Sequence, residues 1–200
     1  MSLSINFIII IIFYLIGSIP FALILPKLFG LGDIRNIGSG NVGTTNVLRA
    51  GNKYLAIAVL CLDILKGLVP FFLLSSFFDD IGLLHATLLC HFAILGHIFP
   101  VWLKFKGGKG VATYIGFLIG INLFLGLCFI IAWMVIALIS RYSSLSSVVA
   151  SLIAPIYFFI NSNNYISIFL LYLFLLIILK HSENIKRLID RTENKIKLSK

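Results

Sequence analysis

The sequence predicts an all-α integral membrane protein, a bundle of about seven transmembrane helices, and three observations carry that expectation. Of 200 residues, 60% are apolar and 12% charged, against about 25% charged in a typical soluble domain. Two runs, residues 5–25 and 165–179, carry no charge and approach or exceed the length needed to cross about 30 Å of hydrocarbon. The remaining cations sit between apolar runs: 15 of the 16 Lys and Arg lie in loops or ends, with Lys66 the exception. A globule of this size has no interior large enough to hide so much apolar surface, so lipid must cover part of it.

The chain reads as one transmembrane domain over residues 1–200, with spans near 5–26, 54–77, 82–103, 111–121, 123–140, 145–161 and 165–180. The first run lacks a basic leading segment and a small-residue cleavage site, so it is expected to be a retained helix rather than a signal peptide. Residues 54–77 contain the ionisable pair Asp63 and Lys66 one helical turn apart, close enough to meet on one face. Residues 111–140 would reach about 45 Å as one helix, too long for a comfortable crossing. Gly116, Gly120, Asn122 and Gly126 offer places to break it.

Charge decides between one crossing and two. If 111–140 crosses twice, all cations but Lys66 fall on one side, and the opposite loops hold Asp79, Asp80 and the polar stretch 161–164. If it crosses once, the cations divide seven against eight. The excess of Lys and Arg on the cytoplasmic side selects two crossings, seven spans, an outer N-terminus and a cytoplasmic C-terminus. Four polar segments, 27–53, 104–110, 141–144 and 181–200, then face the cytoplasm together.

The net charge of +9 does not indicate nucleic acid, because no basic stripe is interleaved with exposed aromatic residues. Cys61, Cys90 and Cys128 sit in apolar runs without metal spacing, and they read as small buried apolar residues. No residue pattern implies a metal or a cofactor.

The loop 32–49 is rich in Gly, Ser, Thr and Asn, with arginines at 35 and 49. Such a segment can wrap an anion with backbone and side-chain donors, and Arg49 can add a bidentate contact to phosphate. Residues 38–43 satisfy G-x-G-x-x-G, but no strand precedes them and no βαβ unit follows, so the dinucleotide fingerprint is rejected. The segment Phe105-Lys106-Gly107-Gly108-Lys109-Gly110-Val111 interleaves cations and glycines where a helix restarts, a setting suited to phosphate. It lacks the glycine spacing and following Ser or Thr of a Walker loop; interfacial lysines reaching for headgroups are the plainer account of Lys104 and Lys106.

His97 precedes Pro100 and this glycine–lysine loop by a few residues. It can accept a proton or donate to a phosphate or carbonyl oxygen, whereas His85 and His91 read as packing residues. Asp63 and Lys66 read either as functional groups or as a structural ion pair. Ser140-Arg141-Tyr142-Ser143-Ser144 joins a cation to hydroxyl donors, and the alternative is a capped helix start. The tail from Lys180 is basic and amphipathic, suited to anionic headgroups.

Taken in order, these motifs resemble the bacterial acyl-phosphate-dependent glycerol-3-phosphate acyltransferases, the PlsY type. The resemblance rests on Ser18-Ile19-Pro20, the loop 32–49, Asp63-x-x-Lys66-Gly67, Gly96-His97-x-Phe99-Pro100, Phe105-x-Gly107-Gly108-Lys109-Gly110-Val111-Ala112-Thr113, Arg141-Tyr142-x-Ser144 and Asn184-Ile185-x-Arg187. The chain departs from the pattern at Val42 and Thr44, where Pro and Ala are commoner, and at Arg191, where a Gly usually stands two positions before Glu193.

The resemblance implies acyl transfer from acyl phosphate to the sn-1 hydroxyl of glycerol 3-phosphate, giving lysophosphatidic acid and phosphate as the first acylation of phospholipid synthesis. It implies a multi-pass protein of the bacterial inner membrane, working at the cytoplasmic face as a monomer among membrane lipid, with no nucleic acid partner. His97, Ser39 and Asn184 become the catalytic candidates. Gly40, Asn41, Gly43, Thr45, Asn46, Arg49, Lys66, Gly107, Gly108, Lys109, Arg141 and Ser144 become the candidates for holding phosphate and glycerol.

The residues speak to the donor as well. The four histidines, 85, 91, 97 and 181, are followed five positions later by Cys90, Gly96, Trp102 and Lys186. The H-x4-D pair of thioester-dependent acyltransferases is therefore missing. The rival reading is a membrane transporter of a phosphorylated anion, which also needs cations at a membrane site. One-sided polar loops and the lack of an internal repeat weigh against it.

Overall fold

The computed structural model describes residues 1–196, and every regular element among them is helical. The chain divides into two compact units, Met1–Ile121 and Asn122–Lys200.

The first unit begins with α1 (Leu3–Ser18), capped by the Ser2 hydroxyl, and α2 (Phe21–Leu28). The two are bent by 42° at Ile19-Pro20, because proline brings no N–H to the helix ladder and disfavours helical geometry in the residue before it. A short 3-10 turn (Ile34–Asn36) and α3 (Thr44–Arg49) build the first polar loop. Then come α4 (Lys53–Phe77), capped by Asn52, α5 (Leu83–Cys90), α6 (Phe92–Ile98), a 3-10 turn (Val101–Leu103) and α7 (Val111–Ile121).

Between lipid-immersed helices there is little hydrophobic driving force, so close backbone approach through small residues does the packing. α4 and α7 meet in this way. A Cβ on Gly67 would strike the Thr113 carbonyl, and one on Gly116 would strike that of Ile64. α1 and α6 repeat the device: Gly17 abuts Ala93, and Gly96 abuts Tyr14. Large apolar side chains such as Phe7, Ile8, Ile57 and Phe72 stay exposed on the outer faces, as lipid solvent permits.

The second unit holds α8 (Leu123–Ser140), α9 (Ser143–Ala150), α10 (Ile153–Ile160), α11 (Asn164–Lys180) and α12 (Ser182–Ile189). Asn122 caps α8 by accepting the Phe124 N–H at 2.8 Å, and Asn163 caps α11. α11 and α12 are bent by 61°.

Among the described residues, four stretches are long and apolar enough to cross a membrane: Lys53–Phe77, Leu83–Leu103, Leu123–Ser140 and Ser143–Ile160. Counting each bent pair as one span gives up to six. The break expected within 111–140 is present, with α7 ending at Ile121 and α8 starting at Leu123. The fourth expected span, α7, has 11 residues and rises roughly 16 Å, short of a full crossing. It stays apolar because Thr113 to Leu118 are buried within its own unit.

Candidate active site

In the first unit the polar loops converge on a small cleft beside the α1–α2 break, lined in part by Ser18, Val42, Asp63, Lys66, His97 and Gly108. The loop before α3 is shaped by glycine: Gly38 and Gly40 have φ of 58° and 68°, left-handed values that glycine adopts without steric cost. Asn46, 1% exposed, holds the loop closed. Its side-chain oxygen accepts the Ser39 N–H at 3.1 Å, and its amide donates to the Ile34 carbonyl at 2.7 Å. Asn46, expected among the phosphate ligands, thus spends its polar atoms on the loop itself. Ser39 is exposed, while Gly40, Asn41, Gly43 and Thr45 are half-buried.

Arg35 forms a salt bridge with Asp33. Its guanidinium donates to the Asp33 carboxyl and pulls it down to about 2. Arg49 is exposed at the last position of α3.

The second loop folds back onto the helix that precedes it. The Gly107 N–H donates to the Ile98 carbonyl and the Gly108 N–H to the His97 carbonyl, each at 3.1 Å, so terminal carbonyls of α6 are satisfied by the loop. Those two N–H groups, expected to cradle phosphate, are therefore committed to backbone. The turn that reverses the chain uses left-handed Lys104 and Phe105, φ 51° and 62°. Two α1 side chains anchor it: the Tyr14 hydroxyl donates to the Phe99 carbonyl at 2.7 Å, and Trp102 donates its indole N–H to Ser18 at 2.8 Å. Lys109 follows at once and leads into α7.

His97, 8% exposed, sits where both loops meet. A Cβ on Gly108 would collide with His97 Nε2 and come within 2.7 Å of the Val42 carbonyl. On the other side of the ring, Asp63 Oδ1 lies 3.7 Å from Nδ1. Asp63 is paired with Lys66 Nζ at 2.8 Å, and Lys66 also donates to the Ile19 carbonyl at 3.0 Å. Lys66, expected among substrate ligands, is 4% exposed. A buried ammonium must be paired to be tolerated, and the pairing here is internal. The structural-pair reading of Asp63 and Lys66 therefore describes their contacts, and the backbone group exposed by the helix break supplies the third partner.

In the second unit, Ser144 and Asn184, 40 positions apart, share one carboxylate. The Ser144 hydroxyl donates to Glu193 Oε1 at 2.8 Å and the Asn184 amide to the same oxygen at 2.6 Å, while Arg187 Nε donates to Oε2 at 2.7 Å. Burial raises the Glu193 carboxyl, but the bonds from Asn184, Arg187 and Ser144 together outweigh it and hold the group below its ordinary value. Arg141, a left-handed residue ending α8, binds the tail: its carbonyl accepts the Ile196 N–H at 2.7 Å and its guanidinium donates to the Ile196 carbonyl at 3.4 Å.

Glu193 did not stand among the expected site residues, whereas Asp63 reads, with Lys66, as either a functional group or half of a structural pair. Glu193 takes its partners from α9 and α12, one of them 49 positions away, and an acid in a cationic tail was the available signal. His85 and His91 have the satisfied contacts expected of packing residues, with Asn6 at 3.2 Å and the Leu88 carbonyl at 2.6 Å.

Residues 7–191 match the family profile described as Glycerol-3-phosphate acyltransferase. A protein of Pelagibacter ubique named glycerol-3-phosphate acyltransferase is 54% identical over 185 residues, covering 92% of this chain and 94% of its own. One from Brucella canis with the same name is 50% identical over 184 residues, covering 92% and 89%. Among solved structures, the glycerol 3-phosphate form of PlsY (YgiH), an integral membrane glycerol 3-phosphate acyltransferase, superimposes with TM-score 0.87 at 37% identity, covering 96% of both chains. Its lysophosphatidic acid form gives 0.85 at 36% identity, covering 96% of this chain and 95% of that one.

Proposed function

The chain belongs to the glycerol-3-phosphate acyltransferase family, and on that premise we propose that it takes its acyl group from an acyl phosphate. The acceptor is the sn-1 hydroxyl of glycerol 3-phosphate, and the products are lysophosphatidic acid and inorganic phosphate. The observation that carries this reading is His97, held in a cleft between the Ser39–Asn46 loop and the Gly108 turn. An imidazole there stands beside cation-bearing loops suited to phosphate, which both substrates carry.

An acyl phosphate is a mixed anhydride with a good leaving group, so the hydroxyl attacks directly and no acyl-enzyme is needed. The hydroxyl proton passes either to His97 or to the departing phosphate itself. Arg49 and Lys109 neutralise phosphate charge, more strongly as the leaving group develops it. Ser39, Asn41 and Thr45 orient the bound phosphate, while Asn46 and the glycines fix the loop that presents them. The one-sided distribution of cations supports a cytoplasmic active site in the bacterial inner membrane.

The test is phosphate release from palmitoyl phosphate by protein in detergent or lipid mesophase, with and without glycerol 3-phosphate. The proposal expects release that requires glycerol 3-phosphate, yields lysophosphatidic acid and disappears in Lys109→Ala. A folded sample that acylates glycerol 3-phosphate only from acyl-CoA would overturn the donor. One that acylates from neither would return anion transport to consideration.

A further inference from the structure

We infer that the turn 101–106 is a docking surface for anionic phospholipid at the edge of the bilayer. The turn ends the apolar stretch Leu83–Leu103, one of those long enough to span a membrane, so it lies where hydrocarbon gives way to headgroups. Leu103 points inward and packs against the buried cluster of Ala22, Ile34 and Val42. Val101, Trp102 and Phe105 face outward, 44%, 59% and 58% exposed, and Lys104 and Lys106 are exposed on either side of Phe105. Lys104 and Phe105 are left-handed, φ 51° and 62°, a backbone state that residues with a Cβ adopt only at a cost. That cost leaves an aromatic ring and a cation on the surface together.

The Trp102 ring is held in its outward position. Its indole N–H donates to Ser18 Oγ at 2.8 Å, and the Ser18 hydroxyl gives its own proton to the Leu15 carbonyl at 2.8 Å. A tryptophan at a bilayer edge ordinarily keeps its polar end in the wet headgroup layer. Here that donor is satisfied inside, so the ring offers outward only apolar surface, which acyl chains cover better than water does. Charge then selects among lipids. No Asp or Glu occurs between Asp80 and Glu183, and among the described residues neither Lys104 nor Lys106 enters a salt bridge. Both cations sit on flexible stems that reach from the acyl boundary to headgroup phosphates. A zwitterionic headgroup carries its own compensating cation, whereas an anionic one does not, and each lysine favours the anionic surface by about fivefold. A free phosphate ion would leave Val101, Trp102 and Phe105 uncovered, so the partner is the lipid.

The chain has two tryptophans, Trp102 and Trp133, so Trp102 is the emitter in full-length Trp133→Phe protein. The experiment places that protein in phosphatidylcholine vesicles and supplies a minor fraction of lipid whose brominated acyl chains quench an indole on contact. The brominated lipid is either phosphatidylglycerol or, at the same mole fraction, phosphatidylcholine. Brominated phosphatidylglycerol should quench Trp102 with an apparent affinity at least about fivefold higher. Lys104→Gln/Lys106→Gln should bring the two lipids to equal quenching with the unfolding temperature unchanged, since both side chains are exposed. The difference between wild type and Trp102→Phe in the same vesicles gives the Trp102 signal without altering Trp133, which keeps the test decisive if Trp133→Phe folds poorly. Equal quenching by both lipids with the lysines in place would make the turn a lipid-facing surface without selection, and would overturn the inference. A preference that survives loss of both lysines would assign it to another surface. Absence of quenching by either lipid would place the turn in water, and the inference would fall with it.

Discussion

Asn46 binds Ser39 and Ile34 at once: its carbonyl oxygen accepts the Ser39 N–H at 3.1 Å, and its amide donates to the Ile34 carbonyl at 2.7 Å. Both bonds close the same loop across 7 and 12 positions of chain. Asn46→Asp keeps the acceptor but removes the donor, leaving a carboxylate against a buried carbonyl. An unsatisfied buried polar group costs about 1–3 kcal/mol. The variant should unfold at a lower temperature than wild type, and KM for glycerol 3-phosphate should rise roughly tenfold as Ser39 loses its fixed position, a change of about 1.4 kcal/mol. Thermal unfolding and steady-state kinetics on one preparation check both.

Glu193 makes stability depend on pH in one direction. Its carboxyl is held below the ordinary glutamate value of 4.5 despite burial, because Asn184, Arg187 and Ser144 donate to the charged form. A group whose folded value is depressed contributes stability above its unfolded value and loses it as pH falls through the folded one. At neutral pH, Glu193→Gln should therefore unfold earlier than wild type, by roughly the 1.5–3 kcal/mol of a hydrogen bond to a charged group. The difference should shrink as pH falls below about 4.5. A gap independent of pH across that window would mean that the carboxylate charge contributes nothing.

The unequal legibility of these features has a physical cause. Apolar runs and the asymmetry of cations are local properties, so helix positions and the break at Asn122 could be read directly. The 11-residue extent of α7 was legible too, as the segment 111–121; what covers so short an apolar helix was not, because cover is a tertiary fact. The glycine, serine and lysine loops marked where a polar site lies. They did not show which donors are already spent: Gly107 and Gly108 on helix carbonyls, Lys66 on Asp63 and Ile19, Asn46 on its own loop. Glu193 escaped notice because Ser144, 49 positions away, reaches it only on folding, and Asp63 showed its neighbour Lys66 but not His97.

The α4–α7 contact should tolerate no side chain at Gly116. A Cβ there meets the Ile64 carbonyl and comes within 2.8 Å of its carbon, with the Leu68 nitrogen at 3.0 Å. All three are backbone atoms of α4, so neither rotamer change nor side-chain movement can relieve the overlap. Gly116→Ala should cost about 1–3 kcal/mol or more, the range for overpacked interiors. It should also lower activity, since α4 carries Asp63 and Lys66. Gly82→Ala is the matched control, because nothing lies within 4 Å of its added carbon; it should leave the unfolding temperature close to wild type.

Gly108 separates two accounts of a glycine in a phosphate-associated loop. If glycine serves there by offering its N–H to substrate, alanine should serve equally, because it keeps the N–H. In the structure that N–H already donates to the His97 carbonyl at 3.1 Å, and what alanine would add is a carbon pressed against His97 Nε2 and within 2.7 Å of the Val42 carbonyl. The ring is the softer neighbour and must move, and the Val42 backbone must give as well, so Gly108→Ala displaces the imidazole. Displacement by about 1 Å can cost roughly 100-fold in rate. The expected result is a loss of that order in kcat with an unfolding temperature within a few degrees of wild type. Near-normal kcat with a raised KM for either phosphate-bearing substrate would favour the N–H account, and would place the imidazole's working position away from Gly108.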